Sequence, residues 1–215
     1  MKGKQRIDIQ SLIEYQERVL TPLNWIHQAE ELILASKKLE PGIKEYWLTV
    51  SKYFDLNKGT YNPPPDFRPE KPLQSVYFML VAYGIENYFK AVLITENKEK
   101  YGQYVLTSGN LPKDLNGHDL IRLAKQTKLV LTVEELNLLR RLFRHSVWQG
   151  RYPVPVKAND ISGSARYAGY DGRSFDIKSI GFWPQDIDEL ATLIRRIATL
   201  SSAKVLVSEQ EKSSN

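Results

Sequence analysis

Four arginines and one histidine fall within twelve residues, Arg140 to Arg151, in the run RRLFRHSVWQGR, and no acidic residue interrupts them. A guanidinium binds a phosphate through two parallel N–H groups, and an imidazole exchanges a proton close to neutral pH. Cleavage of RNA needs those two capacities: stabilisation of a pentacoordinate phosphate, and proton transfer at the attacking or leaving oxygen. On a helix Arg140 and Arg144 share one face, and Arg141 and His145 share the adjacent one. A helix end just beyond them would throw Arg151 and Tyr152 back across the same region, and arginine beside an aromatic ring suits unstacked RNA bases. The simpler reading is a solvated basic helix end that complements the helix dipole. An ideal helix also sets residues 140 and 145 about 140° apart. They converge only if the helix ends near Arg144 or if a second subunit supplies one of them.

The rest of the sequence offers less chemistry. His27, His118 and His145 share no metal-ligand spacing and no HExxH occurs, so neither a metal nor another cofactor is expected. No GxxxxGK[ST], GxGxxG or GxSxG is present, and Thr107-Ser108-Gly109-Asn110 reads as a turn. His118-Asp119 precedes a helix, where capping and a carboxylate at the positive helix end account for the pair. His27 reads as a surface position on a helix flank. Glu86 and Lys90 stand four apart in an apolar helix; they form either a local ion pair or a carboxylate turned to the interior.

The 215 residues suggest one domain, and 42% hydrophobic residues are enough to bury a core. The absence of Cys removes disulfide scaffolds, thiolate nucleophiles and Cys-ligated zinc. Thirty Lys+Arg against 25 Asp+Glu leave a net charge of +5, which allows an anionic partner without demanding one. The longest apolar run, Val76 to Ile85, is ten residues, half of what a membrane span needs. The first twenty residues lack the apolar core of a signal peptide. A soluble, cytoplasmic protein is the expectation.

Helical periodicity dominates the elements that must position the basic run. Asp8 can cap a first helix with Leu12, Tyr15, Val19 and Leu20 inward, and Thr21-Pro22 reads as the N-cap and first residue of a second, carrying Leu23, Ile26, Ile33 and Leu34. Pro41 opens a third with a stripe of Ile43, Tyr46, Trp47, Val50 and Phe54. Five of the eleven prolines fall between Pro63 and Pro72, a density that predicts an extended connector. Ser75 to Asn97 is the strongest helix, apolar on most sides, with Val76, Leu80, Tyr83, Asn87, Ala91 and Ile94 on one stripe. A short helix follows His118-Asp119, and Thr132 with Glu135 forms a capping box ahead of Leu136, Leu139, Leu142 and Phe143. Residues 150–182, rich in glycine and aromatics, read as a long ordered loop or small hairpin, and Pro184 opens a last helix with Ile187, Leu190, Ile194 and Ile197 inward. The fold class expected is all-α: N-terminal helices and connector over 1–74, a bundle of five or six helices over 75–200, and a polar, disordered tail over 201–215.

The order of these segments resembles the HEPN family (higher eukaryote and prokaryote nucleotide-binding domains). YFMLVAYGIENYFKAVLI is similar to its long second helix, with Glu86 and Lys90 in the matching places. His118-Asp119-Leu120 resembles its HDL element, LRRLFRHSVWQGRYPVP resembles the stretch ending in RYP, and the helix over 184–200 completes the bundle. The resemblance covers about 75–200. It implies a helical bundle, usually a homodimer, that acts on RNA or nucleotides. Ribonuclease members carry Arg-x4–6-His at the dimer cleft and cut RNA without metal, the 2′-hydroxyl attacking the adjacent phosphate. By that resemblance Arg140 binds and polarises the phosphate and His145 is the acid–base group. Arg141, Arg144, Arg151 and Tyr152 would contact RNA or nucleotide, with Glu86, Lys90 and His118 in support. A toxin or defence role would bring an antitoxin or regulatory partner. Arg151-Tyr152-Pro153 also looks like the members that bind nucleotides, which leaves open a noncatalytic module regulating a partner.

Overall fold

The computed structural model describes residues 8–55, 58–70, 73–149, 167–168, 174–175 and 184–213. Helix α1 (Ile9–Leu20) starts where expected, with the Asp8 carboxylate accepting from the Ser11 backbone N–H at 3.1 Å. Pro22 sits in the first turn of α2 (Pro22–Lys37), but the Thr21 hydroxyl does not cap that helix. It donates to the Glu17 carbonyl at 2.7 Å and so closes α1 instead. Ile26 and Ile33 of α2 are buried whereas Leu23 and Leu34 are exposed, because α2 presents a narrow face to its neighbour. In α3 (Glu40–Ser51) Ile43 is buried and Tyr46, Trp47 and Val50 half-buried. The stripe stops before Phe54, which stands exposed in the short strand β1 (Phe54–Asp55) opposite Tyr61 of β2 (Thr60–Tyr61). The described prolines follow this ribbon without helix, and Phe67 folds back edge-on to Tyr53 with ring centroids 4.7 Å apart.

Helix α4 (Gln74–Glu96) is the axis of the molecule, touched by α2, α8, α6, α7 and α5. Contacts on all sides explain why no single stripe describes it. Tyr77, Phe78, Val81, Ala82, Ile85, Phe89 and Val92 are fully buried, while Val76, Leu80, Tyr83 and Asn87 of the expected stripe are only half-buried. Helix α2 packs most extensively along α4, and Gly84 lets it do so: a Cβ there would stand 2.6 Å from Ile33 Cδ1 and 3.3 Å from the Ala29 carbonyl oxygen. Val19, Ile26, Ala29, Ile33 and Ile43 therefore belong to the same core as α4.

Helix α5 (Lys98–Ser108) ends on Gly109 at φ +65°, whose N–H caps the Val105 carbonyl. Next come α6 (Leu120–Gln126), α7 (Val133–Arg144) and a π-helical turn, His145–Gln149. Of the long segment before the last helix, the structure describes one antiparallel pairing, β3 (Tyr167–Ala168) with β4 (Ser174–Phe175). Helix α8 (Pro184–Ser213) buries Ile187, Leu190, Ile194 and Ile197 as expected, then continues through the region expected to be a disordered tail. Ser201 and Val205 extend the same face at four-residue steps and are buried, and Lys204 bridges Glu96 at 2.6 Å and the Thr127 carbonyl at 2.9 Å. The fold is an all-α bundle, α4–α8, with three N-terminal helices packed into it. Among the described residues no helix is long and apolar enough to cross a membrane.

Gly84→Val drives two methyl groups into Ile33, so it should lower unfolding free energy by about 1–3 kcal/mol. Urea denaturation checks this; an unchanged midpoint would mean that α2 does not approach α4 this closely.

Candidate functional site

The capping box that starts α7 forms as the sequence predicts: Thr132 Oγ1 accepts from the Glu135 N–H at 3.2 Å, and Glu135 accepts from the Thr132 N–H at 2.7 Å. Glu135 is also held by Arg196 of α8, which donates as well to the Val130 carbonyl. Leu136, Leu139 and Leu142 turn inward, so the arginines between them are carried partly inward too. Arg140 is 2% exposed, with Nη1 donating to Asn137 Oδ1 at 2.7 Å, and Arg144 is buried. Helix α7 ends at Arg144, and His145 opens the π turn that follows. His145 itself keeps a right-handed helical backbone, however, so the chain turns into the π turn without a sharp break. π turns are uncommon and recur at functional sites.

His145 is 8% exposed, its ring 5.1 Å from that of Phe78. Burial, reinforced by the Arg144 guanidinium, lowers its pKa from the ordinary 6.5 to about 4. At neutral pH it is an uncharged imidazole, able to accept a proton. Arg141, expected to contact RNA, makes a two-pronged ion pair with Asp186 of α8, at 2.6 and 2.7 Å. It fastens α7 to α8. Arg151 and Tyr152 lie outside the described residues.

The supporting residues form a tighter constellation than their spacing suggested. Glu86 faces the interior, its side chain 5% exposed. Its Oε1 accepts from Lys90 Nζ at 2.5 Å, and its Oε2 lies 2.9 Å from His118 Nδ1. Lys90 Nζ in turn lies 5.5 Å from the centre of the Trp25 ring. His118 takes no part in capping α6: Asp119 alone accepts from the Ile121 and Arg122 N–H groups, at 3.1 and 3.0 Å. His27 is exposed, as expected.

Tyr83 and Ser146, which sequence reasoning missed, join this constellation to the basic end of α7. The Tyr83 ring stacks obliquely on His118 at 5.3 Å, and its hydroxyl donates to the Ser146 carbonyl at 2.8 Å. Ser146 Oγ donates to the Phe143 carbonyl at 2.8 Å and lies 3.4 Å from the His118 carbonyl. The residue next to His145 is thus in contact with the residue that flanks His118. Only the pairing of a charged residue with an apolar helix signalled this from sequence, since a buried carboxylate must find a partner. Surface clefts among the described residues lie elsewhere: one of about 270 Å³ beside Gly42, Tyr46 and Pro69, one of about 560 Å³ beside His27, Leu34 and Arg195, and one of about 400 Å³ beside Trp47, Leu48 and Gln185.

No protein-family model matches the chain, and no curated protein or solved structure is found to be similar to it.

Two stability measurements follow from this geometry. The unfolded chain protonates His145 near pH 6.5 and the folded chain only near pH 4, so the stability owed to its neutral form is present above 6.5 and drains away between those values, by about 3 kcal/mol at most. His145→Phe should flatten that part of the pH dependence in urea titrations between pH 7 and 4; an identical slope in both proteins would refute the burial of a neutral imidazole. Arg141→Ala strips the buried Asp186 of this cation and should cost about 3 kcal/mol. A loss of RNA affinity without a loss of stability would return Arg141 to the binding surface.

Proposed function

We propose that the protein is a HEPN-like, metal-independent endoribonuclease that works as a homodimer in the cytoplasm, with toxin or defence activity. The observation that supports this reading is the termination of α7 at Arg144 in a π turn whose His145 packs on Phe78 of α4 and whose Ser146 lies 3.4 Å from the carbonyl of the Glu86-held His118. Arg140, Arg144 and His145 share the end of α7 and the start of that turn, and Ser146 links the turn to His118. In the proposed reaction Arg140, with Arg144, Arg151 and Tyr152, holds the RNA backbone and polarises the scissile phosphate. His145, uncharged, takes the proton of the 2′-hydroxyl as that oxygen bonds to phosphorus. The bond to the 5′-oxygen breaks and that oxygen takes up a proton from a general acid or water, leaving a 2′,3′-cyclic phosphate and a 5′-hydroxyl. The second copy supplies the other wall of the cleft.

One observation favours a second reading. Arg140 and His145 are both buried within the protomer, which suits a noncatalytic RNA- or nucleotide-binding module that regulates a partner.

Gel-resolved cleavage of RNA by the purified protein in EDTA separates the two. Wild type should cut and leave cyclic phosphate ends, while His145→Ala and Arg140→Ala, folded by circular dichroism, should lose about 100-fold or more in rate. Cleavage that survives His145→Ala would remove that residue from catalysis. Saturable, salt-weakened RNA binding by a wild-type protein that yields no product would establish the second reading.

A further inference from the structure

His118 is held at one ring nitrogen by Glu86, and its side chain is partly open to solvent. Its side chain is 44% exposed, while the carboxylate that holds it is 5% exposed. Glu86 is shared between the Lys90 ammonium and the imidazole. With Glu86 Oε1 accepting from the Lys90 ammonium at 2.5 Å and Oε2 facing the imidazole, the geometry assigns the donor role in that bond to His118 Nδ1. The exchangeable position is then Nε2, on the side of the ring away from Glu86. The oblique packing of Tyr83 limits rotation of the ring, and the Tyr83 hydroxyl bond to Ser146 fixes that ring against the π turn. A buried carboxylate behind an exposed imidazole is the arrangement that orients a histidine for proton transfer.

Resting on the ribonuclease reading above, we propose that His118 is a second catalytic residue of that site, the proton donor to the leaving group, with Glu86 as its positioning residue. As the 2′-oxygen bonds to phosphorus and passes its proton to His145, the bond from phosphorus to the 5′-oxygen breaks. His118 Nε2–H protonates that departing oxygen. His118 ends neutral and His145 ends protonated, and exchange with water restores both. The division suits the two environments: burial disfavours the charged form of His145, and His118 lies against a carboxylate with its ring partly open to solvent. The charged and titratable groups on the elements around His118 are Glu86, Lys90 and Tyr83 of α4, Asp119 and Arg122 at the start of α6, and Arg144 and His145 at the end of α7. Asp119 is committed to capping, and Arg122 donates to the Asp114 carbonyl at 3.3 Å.

The test is the pH–rate profile of RNA cleavage for wild type and His118→Ala, joined to nitrogen-15 NMR of the histidine rings in wild type and Glu86→Gln. Wild type should give a bell, rising with deprotonation of His145 and falling as His118 loses its proton. His118→Ala should lose about 100-fold in kcat with KM little changed, lose the falling limb, and regain activity with added imidazole. The NMR spectrum should show His118 protonated at Nδ1, a preference that weakens in Glu86→Gln. A His118→Ala protein that cuts at the wild-type rate with both limbs intact overturns the proposal and leaves the ribonuclease reading standing. No cleavage by wild type, with His118 still protonated at Nδ1, overturns the proposal through the reading it rests on, since the geometry would be sound. Free tautomer exchange at His118 in an active wild type overturns the positioning role of Glu86.

Discussion

A carboxylate at the centre of an apolar helix sets the terms for what surrounds it. Removing an ion from water costs several kcal/mol unless partners of opposite charge and hydrogen-bond donors replace the water. Glu86 meets that requirement with Lys90, one turn on in its own helix, and with His118, which arrives from 32 residues away. Lys90 needs an environment of its own and finds the Trp25 ring. One buried charge therefore recruits α2, α4 and the residue just ahead of the α6 N-cap, and a one-residue shift in the register of any of them would strand it. Apolar packing alone tolerates exchange of one side chain for another of like volume, whereas a buried ion with two partners does not.

The second constraint is the placement of α7, whose two ends are both tied to α8. At its start Arg196 grips Glu135, the residue that closes the capping box, and near its end Asp186 grips Arg141. An exposed capping box contributes about 1 kcal/mol; here the same glutamate also joins two helices. With α7 held at both ends its final turn is pressed against α4, and this is why Arg140, Arg144 and His145 are buried despite their polarity. The basic run thus divides by role. Arg141 is architectural, whereas Arg140, Arg144 and His145 line the junction with the π turn.

What was legible in the sequence was local. Asp8, Asp119 and the Thr132–Glu135 box mark helix starts through bonds that span two or three residues, so adjacent letters suffice to find them. Thr21 misled because its hydroxyl had two backbone choices at similar distance along the chain and took the preceding helix. The inward face of α4 was not legible, since a helix wrapped on all sides has no moment to read. The extent of α8 was visible in principle: Ile197, Ser201 and Val205 keep the four-residue step, but a serine in the middle of it broke the apolar pattern that the eye follows. In the candidate site the residue types were on the page, and their partners were not. Nothing in the letters links Glu86 to His118 or Tyr83 to Ser146, because those pairings are decided by how helices far apart in the chain pack.

The same packing gives two histidines opposite chemistry. His145 loses its positive form to burial and to a neighbouring guanidinium, while His118 keeps one edge in water and the other on a carboxylate. Two side chains of one kind in such different surroundings are what a single site needs if it is to hold an acid and a base. That difference in surroundings would persist in a protein that only bound its ligand. Catalysis would add a demand that binding does not, namely that a phosphate come within reach of both rings at once. The bridge from His118 through Tyr83 to Ser146 is only two side-chain contacts long and ends beside His145. The bundle thus ties the turn that carries His145 to the residue that carries the second imidazole.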